Sequence, residues 1–279
     1  MADFLSPKID RQKETQKIKN NDKKDITEYP LETLEDLDNR EPLEFIKSNT
    51  IFDLMIGGFE KRSFTVIAAQ PGHGKSLMCL SLALEISAKF RILYVSYEND
   101  GRIDYERAER LKTDYYNSAK LDNISYVDVN DIETSENIDF QLKDVEALIA
   151  TGRYDFIFLD GIQNAVDTDD EGGSMFADGN NIAKRIIQAA KAFKRPVIAT
   201  WQLGRIKVKN IEDIEMSDIS FSMGLVRYPT SVIALLQENK KFNFKVLKNR
   251  FGYSSMPITK NRDSLNLIDI DTLLTQSQK

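Results

Sequence analysis

The sequence predicts an α/β fold: a mostly parallel, twisted sheet covered by helices on both faces and completed by antiparallel strands near the C-terminus. Three observations carry this expectation. From about residue 45 onward, short β-branched apolar runs alternate with amphipathic stretches of helical length, the pattern of strand–helix–strand crossovers. A glycine-containing loop, AAQPGHGKS, joins one of these runs to the next helical stretch. The last apolar runs have connections too short for crossover helices, so their strands are expected to pair as hairpins.

The runs FTVIAA (64–69), RILYVS (91–96), ISYVDV (124–129), DFIFLD (155–160) and PVIATW (196–201) read as buried strands, because a strand covered on both faces is apolar along its length instead of alternating. Helical periodicity places helices at about 75–89, 102–118, 138–151 and 176–194. The segments SVIALLQ, FNFKVLKNR and LNLIDI extend the sheet as the antiparallel strands. No internal repeat is visible. Residues 1–45 form a polar tail in which a lysine-rich run gives way to an acidic one, and such a composition buries too little apolar surface to fold alone. Two readings of it stay open: a solvated linker, or an arm whose Ile18, Leu31, Leu34 and Leu37 dock on a neighbouring subunit. Residues 46–279 are expected to form one domain.

Composition limits the class further. A chain of 279 residues with 41% hydrophobic content can bury a sizeable core. No apolar run approaches the roughly 18 residues of a membrane span, and the N-terminus lacks a secretory layout, so a cytoplasmic protein with no membrane partner is expected. The single cysteine, Cys79, excludes internal disulfides and reads as a small core residue; one histidine and one cysteine do not make a structural zinc site. A net charge of −6 argues against a broad basic face for nucleic acid, while leaving room for a local basic channel.

Residues 69–76 follow the phosphate-loop pattern G-x-x-x-x-G-K-[ST], with Ala69 in place of the first glycine. The loop leaves a buried strand and enters a helix near Lys75, the context that this motif requires. Gln70, Pro71, Gly72, His73, Gly74, Lys75, Ser76 and Leu77 are therefore the candidate nucleotide-binding residues. Backbone N–H groups around Gly72 and Gly74, with the helix N-terminus, suit a β-phosphate. Lys75 suits the β- and γ-phosphates of ATP, and the Ser76 hydroxyl suits Mg²⁺. The competing reading is an ordinary glycine turn before a helix. His73 fills a variable position and is given no chemistry of its own.

Such a loop needs a second magnesium ligand at a strand end, and Asp160 closes the apolar run of YDFIFLDGIQ; alternatively it is a turn-forming aspartate before glycine. Glu98, just beyond the strand in RILYVSYEND, is placed to orient or deprotonate water, or is a solvated loop glutamate. Gln202 ends the strand in PVIATWQLGR and is a candidate γ-phosphate sensor, while Trp201 is either core or functional. Lys248 and Arg250, two apart in FNFKVLKNR, put both cations on one strand face. They either reach a phosphate together or form a basic edge that discourages aggregation.

Together these motifs resemble the RecA superfamily, and most closely the C-terminal motor domain of DnaB-type replicative helicases, over about residues 46–270. The stretch IFDLMIGGFEKRSFTVIAAQPGHGKS is similar to that family's lead-in and phosphate loop, which there also commonly begins with alanine. VSYEND resembles its strand-then-glutamate motif, FIFLDGIQ its magnesium-binding strand, and WQLGR its glutamine motif. IEMSDISFSMG resembles its loop for single-stranded DNA, and LKNRFG its Lys-x-Arg-x-Gly.

The resemblance implies a RecA-like ATPase core that hydrolyses ATP with Mg²⁺ and assembles as a homo-oligomer, a hexameric ring. Lys248 and Arg250 would then act in trans on the next subunit's ATP. It implies translocation on single-stranded DNA in replication, 5′ to 3′, with primase or a helicase loader as partner, in the host's cytoplasm for a phage-encoded chain. DNA contacts would fall to Arg205, Lys207, Lys209, Ser220, Phe221 and Gly224. Two departures stand out. Ser220 and Phe221 replace the usual arginine and acidic residue of the DNA loop, and a short tail stands where the family has a collar domain. The alternatives are a RecA-like recombination ATPase forming filaments on single strands, and a non-processive ATP-binding assembly factor.

Overall fold

The structure is a computed structural model that describes residues 41–135, 140–165, 175–204, 209–219, 227–252 and 257–261. In chain order its elements are β1 (Phe45–Ile46), α1 (Ile51–Ile56), β2 (Phe59–Glu60), β3 (Phe64–Ala69), α2 (Lys75–Ser87), β4 (Ile92–Ser96), α3 (Gly101–Asp114), β5 (Ile124–Asp128) and α4 (Val129–Ser135). They continue with α5 (Leu142–Ala150), β6 (Phe156–Asp160), α6 (Met175–Phe193), β7 (Val197–Gln202), β8 (Ser231–Glu238), β9 (Lys241–Asn249) and β10 (Ile258–Asn261). The chain divides into units Met1–Pro42 and Leu43–Lys279, and everything below concerns the second.

The main sheet has the order β10-β9-β8-β3-β7-β6-β4-β5. The six strands from β8 to β5 are parallel; β9 and β10 form the antiparallel edge, β9 pairing antiparallel with β8 and β10 with β9. This is the expected mixed sheet, with β3 at its centre and its loop opening where the strand order reverses. Strand alternation divides the core. Val66, Ala68, Leu159, Val197 and Ala199 face α5 and α6, whereas Ile67, Ala69, Tyr94, Phe158 and Ile198 face α1, α2 and α3. Both sets are almost fully buried, which is why the central strands read as unbroken apolar runs. Burying a side chain such as Phe158 contributes about 2 kcal/mol.

Several boundaries differ from expectation. The 102–118 helix ends at Asp114, and the 75–89 helix at Ser87. The expected 138–151 helix begins only at Leu142, because Gln141 and Asp144 form a capping box there. ISYVDV is a half-buried edge strand and not a buried one, and Val129 already starts α4. LNLIDI lies outside the described residues, as does the tail segment carrying Ile18, Leu31, Leu34 and Leu37; the strand that pairs with β9 is instead Ile258–Asn261. Trp201 and Cys79 are buried, so the tryptophan packs in the core. Burial pushes the Cys79 thiol well up, leaving it a small apolar residue with little thiolate. No helix among the described residues is long and apolar enough to cross a membrane.

Candidate nucleotide site

The site is built at the carboxyl ends of the parallel strands. The loop after β3 turns through Gly72 and Gly74, at φ of 77° and 76°, a left-handed conformation that side chains resist. Gly74 is needed on a second ground: a Cβ there would sit 2.7 Å from Gln237 Oε1 and 2.8 Å from the Phe242 ring. The β8–β9 hairpin thus buttresses the loop from outside. It also holds His73, whose Nδ1 accepts the Gln237 amide at 3.2 Å. His73 is therefore turned towards this hairpin, in keeping with the absence of any chemistry assigned to it.

Gly74 also caps α2 without a side-chain hydrogen bond, whereas Thr50 caps α1 and Asp100 caps α3 with theirs. The first amides of α2 are left for a ligand. Lys75 is buried, with 7% of its surface exposed, and makes no hydrogen bond or ion pair to any described residue. A buried ammonium without an anion is costly. An open glycine turn, uncapped amides and an uncompensated cation fit the phosphates of a nucleotide.

Asp160 ends β6 and is fully buried. Burial pushes its carboxyl up to about 6, with Glu98 and Asp104 adding to the rise; hydrogen bonds from Thr200 and then Ser76 oppose it. Thr200 Oγ1 donates to Asp160 Oδ1 at 2.7 Å and accepts the Gly161 amide at 2.7 Å, which fixes the carboxylate's rotamer. The structure brings Ser76 and Asp160 together, although β7 lies between their strands. A hydroxyl beside a buried carboxylate suits Mg²⁺, which takes one or two protein oxygens and completes its shell with phosphate and water.

Glu98 lies two residues past β4, its backbone held by the Tyr97 amide donating to the Asp160 carbonyl at 2.9 Å. Its exposed side chain reaches across Gly161 and accepts Gln163 Nε2 at 2.5 Å. Gln202 stands beside Ala69 in the β3–β7 register, and the Leu203 amide donates to the Ala69 carbonyl at 2.9 Å. The phosphate loop, Asp160, Glu98 and Gln202 therefore occupy one end of one sheet.

Lys248 and Arg250 do not. Lys248 lies on β9 opposite Val232, and Arg250 one residue beyond the strand, its amide donating to the Thr230 carbonyl at 2.9 Å. The expectation that both sit on the strand is corrected accordingly. Both side chains nevertheless converge: Lys248 Nζ donates to the Arg227 carbonyl at 3.2 Å, and Arg250 Nη2 donates to the same oxygen. Burial, and then the Arg250 guanidinium, pull the Lys248 ammonium down to about 8. Ser231 pairs with Asn249 at this end, while Leu235 is level with Ala69, so about 13 Å of strand separates the pair from its own phosphate loop.

Of the proposed DNA contacts, Arg205, Lys207, Ser220, Phe221 and Gly224 lie outside the described residues, and Lys209 is exposed. The neighbouring segment is tied to the sheet by Lys245 Nζ, which donates to the Glu212 and Ile214 carbonyls at 2.6 and 2.8 Å. Sequence reasoning missed Thr200, Gln163 and the buried carboxylate Asp104, which accepts from the Tyr126 hydroxyl at 2.8 Å and from Arg107 at 3.1 Å. Thr200 had a signal: a hydroxyl inside a fully buried strand must find a partner.

Fold and site together define a RecA-like P-loop ATPase with a nucleotide-binding loop. A family model described as an AAA domain matches residues 35–204, more than half of the chain, and the chain belongs to that family. Among solved structures it is similar to a helicase-type ATPase domain, with a TM-score of 0.61 and 17% identity over 84% of this chain and 95% of that one. It is also similar to a DnaB-like replicative helicase whose structure addresses its interactions with primase, at 0.67 and 16% over 91% of this chain and 70% of that one. A third is the flagellar accessory protein FlaH from Methanocaldococcus jannaschii, at 0.53 and 19% over 78% and 94%. At these identities the likeness is one of fold, and that fold is the DnaB-type RecA-like motor fold read from the motifs. No curated protein sequence matches the chain.

Proposed function

We propose that the protein is an ATP-dependent DNA helicase: a hexameric ring that translocates 5′ to 3′ on single-stranded DNA in replication and holds ATP between subunits. Residues 46–279 are the motor and residues 1–45 a tail or linker. The observation that carries the reading is the separation of Lys248 and Arg250 from their own loop, about 13 Å of strand away. A pair that serves phosphate from there serves a neighbour's.

Within one subunit, the loop amides and Lys75 hold the triphosphate. Ser76 and Asp160 hold Mg²⁺, which when bound neutralises and aligns the β- and γ-phosphates. Glu98 orients the attacking water and takes its proton. Gln202, at the tip beside Ala69, registers the γ-phosphate, and the next subunit's Lys248 and Arg250 neutralise charge developing in the transition state. Hydrolysis then alters the subunit interface and moves the DNA loops that carry Arg205, Lys207, Lys209, Ser220, Phe221 and Gly224. Similarity to a helicase studied with primase supports a primase or loader as partner.

Similarity to the accessory protein FlaH favours a second reading, an ATP-binding assembly factor that does not translocate. Forked-DNA unwinding separates the two. The helicase reading expects ATP-driven strand displacement and ATPase stimulated by single strands, both abolished in Lys75→Ala. Intact ATPase without unwinding or stimulation overturns it and leaves the assembly factor.

A further inference from the structure

We propose that Gln163 is a positioning residue that aims the Glu98 carboxylate at the reacting water; the inference rests on Glu98 acting as the base. Glu98 is exposed at a strand tip, and a free glutamate there samples many rotamers. Here it is confined from two sides. Its stem crosses Gly161 so closely that a Cβ on that glycine would lie 2.5 Å from Glu98 Cγ and 3.0 Å from Cδ. Its carboxylate makes one hydrogen bond among the described residues, to Gln163 Nε2 at 2.5 Å.

The clamp is itself rigid. Gln163 sits in the 3₁₀ turn Ile162–Asn164, closed by the Asn164 amide on the Gly161 carbonyl at 2.9 Å and anchored by fully buried Ile162. Gly161 in turn is tied by its amide to Thr200, the same hydroxyl that orients Asp160. The base and the magnesium carboxylate thus share one support, and their relative placement is set by the chain DGIQ. Gln163 Oε1 is buried without a hydrogen-bond partner among the described residues. Swapping the amide would set that oxygen against the carboxylate, so the donor orientation is required by its partner. An amide that leaves one end unsatisfied in order to hold a carboxylate with the other is placed for geometry. Misplacing a catalytic group by about 1 Å costs up to about 100-fold in rate.

The test is a double-mutant cycle on the full chain in its assembled state, with ATPase kinetics, titration of a fluorescent ADP analogue and thermal unfolding. Gln163→Met keeps the length and removes the donor. It is expected to lower kcat about 10-fold or more with KM and ADP affinity within about twofold. In a Glu98→Gln background the same substitution is expected to cause no further loss of residual turnover. Gly161→Ala, which displaces the Glu98 stem from the other side, is expected to show the same split. Unchanged kcat in Gln163→Met beside an inactive Glu98→Gln overturns the proposal and leaves the base in place. Equal loss in both backgrounds overturns it in favour of a structural role. Wild-type kcat in Glu98→Gln removes the base assignment, and the positioning role with it.

Discussion

Thr200 donates to Asp160 Oδ1 at 2.7 Å from the adjacent strand, and this bond with the Gly161 amide on the same hydroxyl joins the magnesium carboxylate to the loop that carries the base's clamp. Thr200→Val preserves shape and removes both bonds, leaving a buried carboxylate oxygen and an amide unpaired. A loss of about 1–3 kcal/mol in stability is expected, read by denaturant unfolding. The hydroxyl also lowers the Asp160 pKa, so the acid limb of the ATPase pH profile is expected to move to higher pH. A variant with unchanged stability and an unmoved profile contradicts this account.

Asp160 makes the nucleotide-free protein pH-sensitive. Burial raises its carboxyl from 3.8 to about 6, so the folded state binds the proton more tightly than the unfolded chain. The associated stability is fully present below about pH 4 and is lost as pH rises through about 6, a difference on the order of 3 kcal/mol. Asp160→Asn is therefore expected to melt higher than wild type at pH 7.5, with the gap closing towards pH 4. Magnesium and nucleotide are expected to stabilise wild type and not the variant. Thermal scans across this range decide it, and a wild type that melts higher at pH 7.5 without ligand refutes the sign.

The two loop glycines are expected to respond differently. Both have positive φ, but a Cβ on Gly72 meets nothing within 4 Å whereas one on Gly74 collides with Gln237 and Phe242. Gly72→Ala should cost about 1 kcal/mol, the backbone term alone. Gly74→Ala should cost several times more and weaken nucleotide binding by displacing the first amides of α2. Equal losses in unfolding experiments would show that the hairpin does not buttress the loop.

Subunit sharing can be tested by mixing. Lys75→Ala and Arg250→Ala are each expected to lose ATPase activity, the latter with nucleotide binding retained. In mixed assemblies some interfaces pair an intact loop from an Arg250→Ala subunit with an intact arginine from a Lys75→Ala subunit. Activity of the mixture is expected to reach about a quarter of wild type for random pairing of such subunits around a ring, by the symmetry of heterologous interfaces. A mixture as inactive as its components places Arg250 outside a shared site.

Much of the site was legible because its parts are local. The phosphate loop, the strand ending in Asp160 and the strand preceding Glu98 each combine a buried apolar run with a polar terminus, and strand ends point where ligands gather. Thr200 and Gln163 were not singled out because their roles depend on partners 40 and 65 residues away. The start of α5 was misread because it begins at a capping box inside a longer helical pattern. Arg250 was placed on a strand because periodicity does not mark where pairing stops.

By itself the sequence determined the α/β class, the phosphate loop despite Ala69, and the residue types able to hold phosphate and magnesium, because backbone periodicity and loop chemistry act over a few neighbouring residues. Tertiary structure alone decided which strand tips are neighbours, that Ser76 and Asp160 meet with β7 lying between their strands, that Gln163 grips Glu98 across Gly161, and that Lys248 and Arg250 stand at the far edge from their own loop. Those relations depend on strand order and direction, which long-range packing sets and which no short window of residues encodes.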